Sequence, residues 1–287
     1  MSRTSYDVAL PAQPTTSVVF ASPHSGRDYP AAFLSRAMLD RHAIRSSEDA
    51  FVDSLFAAAP RHGAPLITAR MPRAYIDLNR AADELDPAVI EGVRRVSHNP
   101  RIASGLGVIP RVVANGRQIY NGKLTLPEAH HRIATCWHPY HDALRGLLDT
   151  ATASFGEAIL IDCHSMPHEA LEHLGPSGAP RPDVVLGDRF GASAASDVVD
   201  RIEAAFAAAG LRVARNMPFA GAYVAQAYGQ PARHRHVVQV ELDRALYLDE
   251  ERVVPGPDFA AFCLLLEGVI AEIADIGRPA DLRVAAE

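Results

Sequence analysis

The ten residues from Ala158 to Pro167, A-I-L-I-D-C-H-S-M-P, constrain this chain more than any other stretch. Four apolar residues, Ala158 to Ile161, make a run of the length and branching of a buried strand, and Asp162, Cys163, His164 and Ser165 follow at once. Polar groups at the end of a buried strand are costly unless each finds a partner, so the cluster is either a hydrogen-bonded structural knot or a working site. In open α/β sheets, working sites gather at the carboxyl ends of strands. Partners for this cluster are therefore expected on other strands that end the same way.

Ser17 to Ala21 reads as such a strand, and it runs into Ser22-Pro23-His24-Ser25-Gly26, where Pro23 and Gly26 mark a turn. His24 and His164 thus stand at two strand ends. Neutral imidazole is the commonest zinc ligand, and a catalytic zinc takes three protein ligands and leaves a fourth position for water. Asp40 to His62 reads as one helix, with Phe51, Val52, Leu55, Phe56 and Ala59 at three- and four-residue spacing and with Glu48 and Asp49 at the start of its apolar part. Either carboxylate would complete a two-His, one-carboxylate set, but spacing alone favours reading the pair as a charged helix start.

Further strands are expected at Pro65–Ala69, Val184–Leu186, Leu211–Ala214 and His236–Leu242, and helices at Pro127–Thr150, Ala192–Ala209 (stopped by Gly210) and Asp258–Ile276. Pro87 to Lys123, Glu169 to Pro182 and Gly221 to Pro231 read as loops, the first as long loops or a lid. No repeat, charge run or linker interrupts the 287 residues, so one α/β domain is expected. A net charge of -6 with no basic stripe argues against a nucleic-acid surface and leaves small metabolites. Three scattered cysteines form neither a disulfide framework nor a zinc knuckle, and no apolar run reaches the length of a membrane span or signal core. A cytoplasmic protein is expected, with its oligomeric state open.

Several side chains have the chemistry of a hydrolytic site. Glu241, inside V-Q-V-E-L-D, would be half-buried and suited to act as a base, unless it faces outward. Arg73, Asn79 and Arg80 suit an anionic substrate, since an arginine fork matches a carboxylate, although Asp77 with Arg80 would also make a structural pair. Cys163 and His164 are adjacent on an extended strand and point to opposite faces, so Cys163 reads as a buried cysteine. His138 and His141 share a helix face and suit packing or lid contacts better than a second metal.

Taken together, Pro23-His24-Ser25-Gly26, Ile76-Asp77-Leu78-Asn79-Arg80, Pro139-Tyr140-His141, Asp162-Cys163-His164-Ser165-Met166-Pro167 and Gln239-Val240-Glu241-Leu242, followed by Leu246-Tyr247-Leu248-Asp249-Glu250, resemble the N-formylglutamate amidohydrolase (deformylase) family in its own order. The resemblance implies a mixed β-sheet flanked by helices, related to the zinc carboxypeptidases and aspartoacylases and so phosphorylase/hydrolase-like. It implies hydrolysis of N-formyl-L-glutamate, a step of histidine degradation. A zinc carboxypeptidase or another N-acyl amino-acid deacylase is the nearer alternative, and a non-catalytic binder of an acidic metabolite the more distant one.

Residue by residue, the resemblance implies zinc on His24, Asp49 and His164, one ion per chain. Iron, manganese or cobalt would suit the same donors. Carboxypeptidases take their carboxylate from H-x-x-E, whereas Arg27 stands three residues past His24 here; Asp49 is the residue that lines up with the family's aspartate, with Glu48 and Asp28 as lesser candidates. Glu241 matches the catalytic glutamate, Asn79 and Arg80 match the pair that holds the substrate carboxylate, and Arg73 would serve the oxyanion or the glutamate side chain.

Overall fold

The structure, a computed structural model, describes residues 4–94, 99–172 and 181–279. Its centre is a seven-stranded mixed sheet made of β1 (Tyr6–Ala9), β2 (Val18–Ser22), β3 (Leu66–Ala69), β4 (Ala158–Met166), β5 (Val184–Gly187), β6 (Val213–Arg215) and β7 (Arg235–Asp243), in the order β1-β3-β2-β4-β7-β5-β6. β2, β4 and β7 are neighbours and parallel, with Val18 opposite Ile159 and Ile159 opposite His236. β5 runs antiparallel to β7 and parallel to β6. The parallel strands are buried along both faces, which is why they read as continuous apolar runs rather than alternating ones.

The chain divides into two compact units. One comprises Met1–Asp7, Pro23–Ala50 and Thr68–Ala143; it is rich in loops and carries the turn after β2 and the I-D-L-N-R segment. The other comprises Val8–Ser22, Phe51–Ile67 and Leu144–Glu287 and holds most of the sheet. In this second unit the helices Ser196–Ala208 and Phe259–Ile276 pack on each other, the first also against β5 and β6 and the second against β2. Val199, Ile202, Phe206, Leu266, Ile270 and Ile273 form their buried stripes.

Most expected elements are present within a residue or two, although β4 runs on past Ile161 to Met166, the helix expected over Pro127–Thr150 continues to Phe155 and the one expected from Ala192 starts at Ser196; two expectations are corrected and one strand is added. Asp40–His62 is not one helix. It is a 3₁₀ turn at Ala43–Ser47, an extended Glu48, a left-handed Phe51 (φ 64°), a one-turn helix at Val52–Leu55 and a second 3₁₀ turn at Ala59–His62. The apolar spacing is satisfied by short pieces because the chain breaks where two carboxylates, Glu48 and Asp49, are buried. Gly221–Pro231 contains a short helix, Tyr223–Tyr228, between its glycines. The edge strand Tyr6–Ala9 had no sequence signal, since three of its four residues are exposed. Residues 173–180 of the expected Glu169–Pro182 loop, and 95–98 of the Pro87–Lys123 segment, lie outside the described residues.

Candidate active site

β2, β4 and β7 end side by side, and each carboxyl end supplies a titratable group. His24 follows β2 by two residues, His164 lies in the last third of β4, and Glu241 on β7 is the direct register partner of His164. His24 is carried on a turn that needs a glycine: a Cβ on Gly26 would overlap the Met71 carbonyl oxygen and come within 2.6 Å of its carbon. The Asp28 N–H donates to the Arg70 carbonyl (2.9 Å), and the Asp49 N–H donates to the His24 carbonyl (3.1 Å). The broken helix start thus brings Asp49 Oδ2 to 3.4 Å from His24 Nδ1.

Both histidines are held from behind by carboxylates. His24 Nε2 lies 2.8 Å from Asp77 Oδ1, and His164 Nε2 lies 3.0 Å from Asp162 Oδ2. With these carboxylates ionised the proton sits on Nε2, so each Nδ1 presents a lone pair. Asp162 shares a strand face with His164, being two residues away. Asp77 also accepts from the Asn79 N–H (2.8 Å) and from Arg73 Nε (3.1 Å). Burial would raise the Asp77 pKa, but the interaction with His24 and the guanidinium charges of Arg73 and Arg80 outweigh it and hold this carboxyl well below the usual range.

One ligand atom each from His24, Asp49 and His164 lies within 4.8 Å of the others, and all three residues are buried. Two imidazoles and a carboxylate are a donor set for a divalent cation, each imidazole already carrying the carboxylate partner typical of metal-binding histidines. The 3.4 Å between His24 Nδ1 and Asp49 Oδ2 is close to the edge, about 3.3 Å, of a tetrahedron with zinc-ligand bonds of about 2.0–2.1 Å. These residues therefore fit a metal ion.

The lesser carboxylate candidates are engaged elsewhere. Glu48 is buried, accepts from the Tyr29 hydroxyl at 2.6 Å and is clasped by Arg45 at 3.0–3.1 Å. Burial first, then the charge of Glu48, pushes the Tyr29 phenol far above its ordinary range, so it stays a donor. Asp28 is half exposed and pairs with Arg70 at 2.7 Å.

Glu241 is buried rather than half-buried, and Gln239 aims it: the Ala222 N–H donates to Gln239 Oε1 (3.0 Å), and Gln239 Nε2 donates to Glu241 Oε1 (2.8 Å). Arg80 is buried too, its Nε donating to the Leu106 carbonyl (2.9 Å) and Nη1 to the Asn79 carbonyl (2.8 Å). Burial lowers its pKa and Asp77 opposes the shift.

The I-D-L-N-R segment is pinned by a helical run that begins at Leu126–Arg132, passes through a π turn at Ile133–Trp137 and continues as His138–Phe155. Trp137 Nε1 donates to the Arg80 carbonyl (2.9 Å) and His141 Nε2 to the Leu78 carbonyl (2.9 Å), the two rings lying 4.0 Å apart. His141 is buried and His138 exposed, so they do not form a second metal pair. Asp77, Asp162 and Gln239 were visible in the motifs, but their orienting roles were not. For Asp162 and Gln239 the signal was the i, i+2 spacing to His164 and Glu241 on one strand face. Cys163 is fully buried, and burial followed by the neighbouring Asp162 charge pushes its thiol well above the usual value, which removes it as a nucleophile.

Fold and site together define a class: a mixed α/β protein with a buried glutamate and metal-capable side chains gathered at the carboxyl ends of adjoining parallel strands. The sequence model of the N-formylglutamate amidohydrolase family matches residues 16–248. The chain belongs to that family, and is thus a hydrolase acting on an amide C–N bond.

A crystal structure of N-formylglutamate amidohydrolase from Ralstonia eutropha superposes with a TM-score of 0.89 at 36% identity, covering 96% of this chain and 99% of that one. N-formylglutamate deformylase from Pseudomonas aeruginosa is 30% identical over 82% of this chain and 83% of its own length. The deformylase from Pseudomonas putida is 29% identical over 81% and 82%. No helix among the described residues is long and apolar enough to cross a membrane.

Proposed function

We propose that this chain is a metal-dependent, cytoplasmic amidohydrolase that cleaves N-formyl-L-glutamate to formate and L-glutamate. The observation that carries the metal dependence is the convergence of ligand atoms from His24, Asp49 and His164, with Asp77 and Asp162 behind the two imidazoles. Zinc held by these three residues would polarise the formyl carbonyl and lower the pKa of water.

The remaining steps fall to side chains of the chain. Glu241, held by Gln239, accepts a proton from the attacking water as its oxygen bonds to the formyl carbon. It returns that proton to the amide nitrogen as the C–N bond breaks, so formate and the free amine leave and Glu241 is regenerated. Arg80 and Asn79 hold the α-carboxylate, Arg80 through guanidinium N–H groups beyond those given to Leu106 and Asn79. Arg73, a quarter exposed and tied to Asp77, supplies positive charge to the carbonyl oxygen or to the substrate side chain.

Glu241→Gln tests the base assignment. The variant is expected to keep the metal content of the wild type while kcat for N-formylglutamate falls by about 10²–10⁴. Undiminished turnover with metal in place would remove Glu241 from the reaction.

A further inference from the structure

The chain between the His24 turn and Asp49 borders a pocket that the reaction as described does not use. Its volume is about 360 Å³, toward the lower end of the roughly 300–1,000 Å³ of small-molecule sites, and Arg27, Tyr29, Leu34, Arg41 and Arg45 line it. All five belong to the single stretch Pro23–Ala50 of one compact unit. His24, Asp49, His164, Glu241 and Arg80 are not among the lining residues.

Three of the five lining side chains are guanidinium groups and none is a carboxylate. The acids of the same stretch are turned to other partners. Asp28 takes Arg70 at 2.7 Å, and Asp40 accepts from the N–H groups of His42 (2.9 Å) and Ala43 (2.6 Å). Glu48 is buried and takes the Tyr29 hydroxyl together with Nε and Nη2 of Arg45. That bonding fixes two of the walls: Arg45 rides on the 3₁₀ turn Ala43–Ser47, and the Tyr29 ring stacks on Phe33 with centroids 6.2 Å apart. Arg45 Nη1 and the exposed Arg41 guanidinium have no partner among the described residues.

In a protein of net charge -6, a pocket lined in this way is a local reversal of sign. A cleft lined by one sign of charge concentrates the field and draws in the opposite ion. Guanidinium forks match the paired oxygens of carboxylates and phosphates.

We propose that this pocket binds a small dianion with carboxylate or phosphate oxygens, held by Arg41 and by Nη1 of Arg45, with the charge of Arg27 beside them. Arg45 is already oriented by Glu48, so its ordering is not a cost of binding. The pocket also shares a backbone with the candidate metal ligand: the Glu48 N–H donates to the Arg45 carbonyl (2.8 Å), and Asp49 follows directly. The two neighbouring carboxylates face different partners, Glu48 toward Arg45 and Asp49 toward His24. The assignment stands independently of the reaction proposed above.

The test is calorimetric titration of the protein as purified with inorganic phosphate and with glutarate, at constant chloride, in the wild type, R41M, R41Q and R252M. R252M removes one exposed arginine from the other unit and controls for net charge. The wild type is expected to saturate with at least one of the two anions at a Kd of about 1 mM or below. R41M and R41Q are expected to weaken that binding by about 10-fold or more, and R252M by less than about twofold. Tighter binding of phosphate identifies a phosphoryl ligand and tighter binding of glutarate a dicarboxylate; either supports the site. No saturation by either anion below about 10 mM overturns it, as does affinity unchanged in the Arg41 variants or lowered equally in R252M. Should R41M not fold, R41Q decides by the same criterion.

Discussion

At the residue scale, the site is defined as much by what holds the histidines as by the histidines themselves. Asp77 fixes the ring of His24 and at the same time gathers the Asn79 N–H and Arg73, so one buried carboxylate couples the metal-capable cluster to the segment proposed to bind substrate. Asp77→Asn keeps the shape and removes the charge. It is expected to weaken zinc affinity by about 10–100-fold, measured by competition with a chromogenic chelator. Unaltered affinity would reduce Asp77 to a packing residue. That His24 and His164 would come together was legible from residue type and from position after apolar runs, whereas Asp49 was singled out only by the family resemblance. Their supports were less so, because a carboxylate that orients a ring 53 positions away in the chain leaves no local pattern.

At the scale of elements, the strands were the most legible part of the fold, since V-V-F-A, A-I-L-I and V-V-Q-V have no solvent-facing alternation and can only be buried on both sides. The stretch around Asp49 misled for a physical reason. Its apolar spacing is helical on either side, yet the left-handed Phe51 and the buried Glu48 and Asp49 interrupt it where the Asp49 carboxylate turns toward His24. The short helix at Tyr223–Tyr228 is only six residues long and has too few turns to show a period.

The turn that carries His24 is equally specific. Gly26→Ala forces a methyl group into the backbone at Arg70 and Met71, which cannot give way as a flexible side chain would. A loss of about 1–3 kcal/mol of stability is expected, read from denaturant midpoints, together with weakened metal binding. A variant as stable and as metal-competent as the wild type would show that the turn tolerates displacement.

At the scale of the whole molecule, the proposed reaction sets an acidic protein, net charge -6, against a dianionic substrate, so binding has to come from cations placed locally rather than from the overall field. In the proposed reaction Arg73 and Arg80, on the segment that follows β3, would meet that need. The long loops of Pro87–Lys123 were legible as loops but not as shapes, because weak periodicity and turn residues specify irregular backbone without specifying its course.

The central claim, a metal-dependent deformylase, is tested most directly by elemental analysis of the purified protein together with formate release from N-formylglutamate before chelation, after it, and after zinc is returned. The account predicts about one zinc per chain, with formate release lost on chelation and restored by the metal in step with its reuptake. Formate release that persists in metal-free protein would contradict it.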